Sequence, residues 1–394
     1  MNPEEVQRYR AETPGTQHVI HFNNAGSSLL PTPVFDAVDA YLKSEYLIGG
    51  YETCDKYADG FEYSKKKLGE LIGAESEEIA LLESATTAWY KAFLGLNFQP
   101  GDVVLTSQTE YVSNFLGLLR EKKHQGIEIQ IIPNNQWGEI DVEELEKMIT
   151  PSVKLIAISH IPTNGGLVQP AAEVGKIAKA HNIPYLLDAC QTVGQIPIDV
   201  EELGCDMLSA TGRKFLRGPR GTGFLYVRKD FMDKLDPPLP DLFSFEWDEI
   251  NSYSPRAGAT RFENYEKHFA GQIGLGIAAE YALNIGVDKI WARSKHLSQL
   301  LREKLNELDG VQTQDLGRKP CAIVTFTIGQ KAAGEVKALL NEKGINTSFV
   351  DAGGALMDMA ERKLGNMIRA SVHYYNTEEE IKTFIDALKS ILSS

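Results

Sequence analysis

The chain has 394 residues, 43% hydrophobic and 24% charged, an ordinary globular composition with room for one large and one smaller domain. A formal net charge of -14 with no long Lys/Arg stripe weighs against nucleic-acid or anionic-membrane partners. No apolar run approaches the roughly 20 residues that span a bilayer, the opening MNPEEVQRYR lacks a secretory pattern, and four cysteines without a C-x-x-C pair fit a reducing cytoplasm better than a disulfide framework.

Taken in chain order, EIALLESATTAW reads as a short strand running into a hydroxyl-rich helix start at Ser84, Ala85, Thr86 and Thr87. Free N–H groups and hydroxyls there make an anion site, and simple N-capping explains them almost as well. A strand Asp102 to Ser107 leads through a polar turn to Tyr111, placed to stack on a planar ring or to pack a core. Then come a helix around Phe115 to Lys123, a strand Ile127 to Pro133, a helix Val142 to Ile149 and a strand Lys154 to His160. Asn164, before two glycines, suits either a ligand contact or an Asx turn. A helix Pro170 to Asn182 precedes the strand Pro184 to Cys190, followed by strands Cys205 to Thr211 and Gly221 to Lys229. Strands separated by helices of this length require crossovers, hence a mainly parallel sheet covered on both faces.

From Asp236 to Tyr265 the pattern breaks into loops, and a helix resumes at Gln272 to Ile285. After Gly310 a smaller α/β unit begins: a strand Ala322 to Ile328, a helix closed by Gly344, a strand-like Met367 to Tyr375, and a last helix capped by Thr377 with Glu380. The expected organisation is a segment 1–20 packing on the small unit, a large unit 21–271, and a linker helix plus small unit 272–394. The eight histidines form no linear ligand cluster, so no metal is expected.

The chemistry concentrates in LSATGRKFLRGPRGTGFLYV. Lys214 lies between two strands in a loop of Gly and Arg, the placement a Schiff-base lysine needs; a phosphate-binding turn or a solvated basic loop fits the same residues. Arg213 and Thr211 offer a cation and a hydroxyl to a phosphate. Asp188 ends an apolar strand, where clefts form in parallel sheets, and an anion there suits a pyridine nitrogen; capping of the next turn is the plainer role. Gln191 follows as a donor or as a helix-start surface residue.

The order of these segments, from HFNNAG at His21 to RASVHYYNT at Arg369, resembles the class V aminotransferase family, fold type I of the pyridoxal phosphate enzymes. The resemblance is nearest the branch holding cysteine desulfurases, selenocysteine lyases and hercynylcysteine sulfoxide lyases. It implies a large domain with a mainly parallel seven-stranded sheet, a smaller C-terminal α/β domain, and pyridoxal 5'-phosphate as cofactor. By resemblance, Lys214 carries the cofactor, Asp188 faces the ring nitrogen, Gln191 donates to the ring oxygen, and Tyr111 stacks where histidine is common. Asn164 contacts the ring edge, and Ser84, Ala85, Thr86, Thr87, Thr211 and Arg213 hold the phosphate. Asn24, Ala25 and Arg369 receive the substrate, Arg369 through its carboxylate. A homodimer with the site near the subunit boundary is implied.

Two departures stand out. TSFVDAGGALMD, where desulfurases carry a mobile cysteine, has none. RFENYEKHFAG puts Tyr265 and Glu266 where relatives have a Gly-Thr pair that reaches the neighbouring subunit's phosphate, leaving Arg261 or His268 as replacements. From the first departure, and from Arg213 standing before Lys214 where many relatives have histidine, the resemblance leads us to expect a β-eliminating carbon–sulfur lyase on a cysteine-related substrate, with an aminotransferase or an amino-acid epimerase as alternatives and a persulfide-forming desulfurase disfavoured. A catalytically silent binding protein is opposed by the intact lysine and aspartate. Tyr46, Tyr51, Tyr57, Trp247, Tyr253 and Arg256 are candidates for the mouth of the site or for an interface.

Overall fold

The structure is a computed structural model that describes residues 1–329 and 331–393. Its centre is a seven-stranded sheet in the order Ile79–Leu82, Gly223–Val227, Met207–Thr211, Tyr185–Asp188, Val153–Ser159, Val103–Ser107 and Glu128–Ile132. Gly223–Val227 runs antiparallel to both its neighbours, and the pairs from Met207–Thr211 through to Glu128–Ile132 are parallel. Helices such as Val112–Gln125 and Ala171–Ala180 make the crossovers. Central strands are buried along their whole length, which is why they read as continuous apolar runs, whereas the edge strand Glu128–Ile132 alternates outward and inward. One apolar layer includes Leu105, Ile156 and Leu187, and the opposite layer Val104, Leu155 and Leu186.

The strands expected in the middle of the chain stand within a residue or two of the observed ones. Three differences have local causes. The strand-like Met367 to Tyr375 pairs only as Met367–Ser371, because Asn376 Oδ1 accepts from the His373 N–H and turns the chain. The segment expected to be loop contains an antiparallel hairpin, Phe245–Glu249 with Ser252–Pro255, whose residues are almost all exposed. Beyond Ile285, Gly286 at φ +89° breaks the chain direction and a second long helix, Val287–Asn306, follows.

A four-stranded antiparallel sheet, Val311–Thr313, Ile323–Ile328, Met367–Ser371 and Ser348–Val350, carries helices Ala333–Glu342 and Glu378–Leu392 and has its own apolar core around Phe326, Leu340 and Phe384. Thr377 and Glu380 form the expected capping box, and Gly344 adopts φ +74°.

The first residues are woven into both sheets' surroundings. Helix Pro3–Ala11 places Arg10 against Glu380 at 2.8 Å, and Ile20–His21 pairs in parallel with Ile345–Asn346. Arg217 is the knot. Buried at φ +62°, it donates to Leu29 O at 2.9 Å, Thr13 Oγ1 at 2.7 Å and the Tyr374 hydroxyl, with the Tyr375 ring 4.4 Å away. The carbonyl, hydroxyls and ring faces solvate this guanidinium.

Candidate active site

The carboxyl ends of the central parallel strands open into a cavity lined by Ser84, Ala85, Thr86, Tyr111, Asn114, Ser159, Thr163, Asp188, Cys190, Gln191, Thr211, Arg213, Lys214 and Thr222. This is where a parallel sheet leaves unpaired strand ends and helix starts facing one another.

Asp188, last residue of its strand, is buried; Oδ1 accepts from the Cys190 N–H and Oδ2 from Asn114 Nδ2, both at 2.9 Å. Lys214 is buried too, its carbonyl tied to the Arg217 N–H at 2.9 Å and its Nζ 5.9 Å from the centre of the Tyr111 ring. Burial pulls the Lys214 ammonium below its ordinary pKa, Arg213 and Arg369 add to that, and Cys190 and Asp188 oppose it. A neutral amine is the form that adds to a carbonyl.

Ser84 caps helix Ala85–Leu94, its Oγ accepting from the Thr87 N–H at 3.1 Å. The start of this helix lies tight against Gly223: a Cβ there would come within 2.6 Å of the Ser84 carbonyl carbon and 2.7 Å of the Ala85 nitrogen. Thr211 Oγ1 donates to the Thr222 carbonyl at 3.3 Å, and the Arg213 guanidinium to the Gly26 carbonyl. Thr87 faces a neighbouring groove with Tyr90 and Leu239.

The expected substrate side lies one layer back. Arg369 donates through Nη1 to Thr163 Oγ1 at 2.6 Å and to its carbonyl at 3.0 Å, while its buried Nε has no partner. Burial, then Arg213, pulls Arg369 down to about 10. Asn24 is spent on structure, donating to the Ser371 carbonyl at 2.8 Å and accepting from the Tyr375 hydroxyl at 2.5 Å. Ala25 donates its N–H to Ser371 Oγ at 2.8 Å and gives its carbonyl to Gln191 Nε2 at 3.1 Å. Gln191 Nε2 also donates to Thr163 Oγ1, so both its protons serve the protein and its buried Oε1 is left unpartnered. Asn164 is buried beside Thr163, which takes the lining position.

Of the two expected replacements for the missing Gly-Thr pair, Arg261 is engaged elsewhere and His268 is exposed. Arg261 pairs with Asp233 at 2.9 Å, and His268 lies against Gly221 and Gly271. Tyr265 is held through its backbone N–H, which donates to Asp241 Oδ1 at 2.9 Å.

Sequence reasoning missed Asn114 and Glu110. Glu110 is buried, and its Oε1 accepts from Ser159 Oγ at 2.6 Å, the Tyr111 N–H at 2.8 Å and Asn114 Nδ2 at 3.0 Å. Their spacing of four at a helix start was the one visible signal. Among the described residues no group of three or more His, Cys, Asp or Glu is disposed to hold a metal ion. No described helix is long and apolar enough to cross a membrane.

The family model described as aminotransferase class-V matches residues 20–384. A probable cysteine desulfurase of Pyrococcus abyssi is 32% identical over 100% of this chain and 98% of its own length. The solved apo structure of a cysteine desulfurase from Thermococcus onnurineus superposes with a TM-score of 0.91 at 30% identity, covering 100% of this chain and 99% of that one. A further solved structure, 22% identical with a TM-score of 0.87 over 96% of this chain and 98% of that one, holds glycine covalently linked to pyridoxal phosphate and shares the fold. These relatives correct the functional expectation. A β-eliminating lyase was preferred to a desulfurase because one loop lacks a thiol, yet the two relatives at 30% identity or more that match from end to end are named cysteine desulfurases, one of them as probable.

Proposed function

Because the chain belongs to the class-V aminotransferase family of pyridoxal-phosphate enzymes, we propose that it is a desulfurase that takes sulfur from cysteine and leaves alanine. The observation that carries this reading is the buried, deprotonation-prone Lys214 facing the Asp188 carboxylate in one cavity.

The residues fit the cofactor. A carboxylate at a strand end, a buried amine, a hydroxyl-rich helix start packed against Gly223 with no room for a Cβ there, and an unpartnered Arg369 Nε match a pyridine ring, an aldehyde, a phosphate and an amino acid, whereas Gln191, with both Nε2 protons taken, does not present the expected donor. When bound, pyridoxal phosphate supplies an electron sink for bond breaking at the substrate's α-carbon. Lys214 would hold the aldehyde carbon and, once freed by the substrate amine, take the α-proton. Asp188 would keep the ring nitrogen protonated, while Tyr111 covers one ring face. The N–H groups of the Ala85–Leu94 helix start, with Thr86, Thr211 and Arg213, would neutralise the phosphate. Arg369 would pair with the α-carboxylate, exchanging part of its hold on Thr163.

Sulfur transfer balances as cysteine plus an acceptor thiol giving alanine plus a persulfide. The chain's own thiols are poor acceptors: burial pushes Cys190 and Cys205 far above the usual thiol range and Cys321 up to about 12, and raises the half-buried Cys54 as well. An external thiol is therefore the acceptor in this reading. Unpaired cysteines throughout support a reducing compartment, the cytoplasm. Large exposed side chains, including Trp247 at 79%, Ile250 at 87% and Tyr46 at 88%, support a homodimer. The two sheets with separate cores support a larger and a smaller unit, with segment 1–20 fastened to the smaller one through Arg10 and Glu380; helix Phe269–Ile285, whose Leu275, Ala278 and Ala279 join the large sheet's core, moves the boundary beyond the expected 271.

The test is product analysis with cysteine and cofactor-loaded protein, with and without added dithiol. Alanine and sulfide in equal amounts, rising with the dithiol, support the reading. Pyruvate and ammonia in place of alanine would overturn it.

A further inference from the structure

Two carboxyl groups share one amide beneath the cavity. Asn114 Nδ2 has two protons; one is directed at Asp188 Oδ2 (2.9 Å) and one at Glu110 Oε1 (3.0 Å). All three residues are buried. The remaining contacts of Glu110 come from Ser159 Oγ and the Tyr111 N–H on Oε1, and from Thr106 Oγ1 on Oε2 at 3.4 Å. No cation is among these partners. The charged group facing Glu110 is Asp188, from strand Tyr185–Asp188, and the Tyr185 phenol of that strand lies within its field as a neutral group. Two anions bridged by one neutral amide in a dry interior repel, so one of them carries a proton near neutrality. Asp188 keeps two N–H donors and faces the cavity; Glu110 lies further inside, and burial raises it to about 7, with Asp188 contributing.

We propose that Glu110, acting through the Asn114 amide, is a positioning residue that sets the orientation and effective charge of Asp188 and thereby the proton affinity of the cofactor bound above it. This rests on the reading of Asp188 as the partner of the ring nitrogen. Protonated Glu110 leaves Asp188 the only anion of the pair. Ionised Glu110 places a second negative charge behind Asp188 and raises the proton affinity of everything in front of it. The Ser159 hydroxyl favours the ionised form and so sets the pH of the change.

The test is the visible absorbance of the cofactor-loaded protein followed from pH 5 to 9 in wild type, Glu110→Gln, Ser159→Ala and Asp188→Asn. In wild type a spectral transition is expected near pH 7. Glu110→Gln, neutral throughout, loses it, and Ser159→Ala, deprived of the donor that favours the anion, moves it to higher pH. A residue with only a packing role would leave both profiles in place. Wild-type profiles in both variants, with cofactor retained, overturn the proposal. Should Glu110→Gln fail to fold, the direction of the Ser159→Ala shift decides alone. Asp188→Asn separates the two levels. If it keeps the cofactor and the wild-type spectrum, the reading of Asp188 fails; if it alters them while the other two variants titrate like wild type, only the role of Glu110 fails.

Discussion

At the scale of single residues, the site stores unfavourable burial. Lys214 sits where its charged form is disfavoured, so in the protein without cofactor the unfolded chain binds its proton more tightly than the folded one. Below the ordinary lysine pKa that difference costs stability, and the cost fades as pH rises toward it. Lys214→Met should therefore melt higher than wild type at neutral pH in the cofactor-free state, the gap narrowing at alkaline pH; equal melting curves across the range would contradict this. Glu110 behaves alike with the opposite charge. Its carboxyl is raised from 4.5 to about 7, so its contribution worsens as pH climbs through that window, and cofactor-free Glu110→Gln should lose less stability than wild type over it. In the proposed reaction Arg369 pairs with the substrate carboxylate: Arg369→Met should then lower kcat/KM for cysteine by roughly 100-fold, through loss of a charge-assisted pair, while the cofactor stays bound. Steady-state kinetics beside an absorbance spectrum checks both halves.

At the scale of elements, the helix Glu378–Leu392 depends on its start. Thr377 Oγ1 accepts from the Glu380 N–H at 3.2 Å and Glu380 returns the contact to the Thr377 N–H at 3.1 Å. Thr377→Ala should cost about 1 kcal/mol of stability in a denaturant melt. That capping box was readable because its parts lie three residues apart. Asp188 was readable for a similar reason, an acid closing an apolar run, and Lys214 through the glycines around it. Glu110 and Asn114 were not, because their meaning comes from a strand 74 residues further on that only the folded sheet brings beside them. The hairpin Phe245–Pro255 hid for another reason: with most side chains exposed it lacks the alternation that marks a half-buried strand. Its exposed Trp247 and Ile250 make it the element on which to test assembly. In the homodimer proposed above, changing both to Ser is expected to shift the protein toward monomer in sedimentation while secondary structure is kept.

At the scale of the whole molecule, the strands from Val103–Ser107 to Gly223–Val227 are laid down beside or one place from their predecessors, whereas Ile79–Leu82 waits at one edge for Gly223–Val227. That locality is why the strand pattern was legible in advance and why the class-V resemblance held along residues 20–384. The reaction was the part misjudged, since one cysteine-free loop was allowed to outweigh the likeness of the entire chain. The amine-bearing loop is a different matter. Its turn at Arg217 is bolted to Thr13 and Leu29 on one side and to Tyr374 on the other, and Ile20 finds its strand partner at Ile345. During synthesis the first thirty residues thus emerge long before anything exists for them to hold. All the strands of the large sheet and all the residues that line the cavity are made by Val227, but the loop that carries Lys214 gains its hold on Tyr374 only near the end of synthesis.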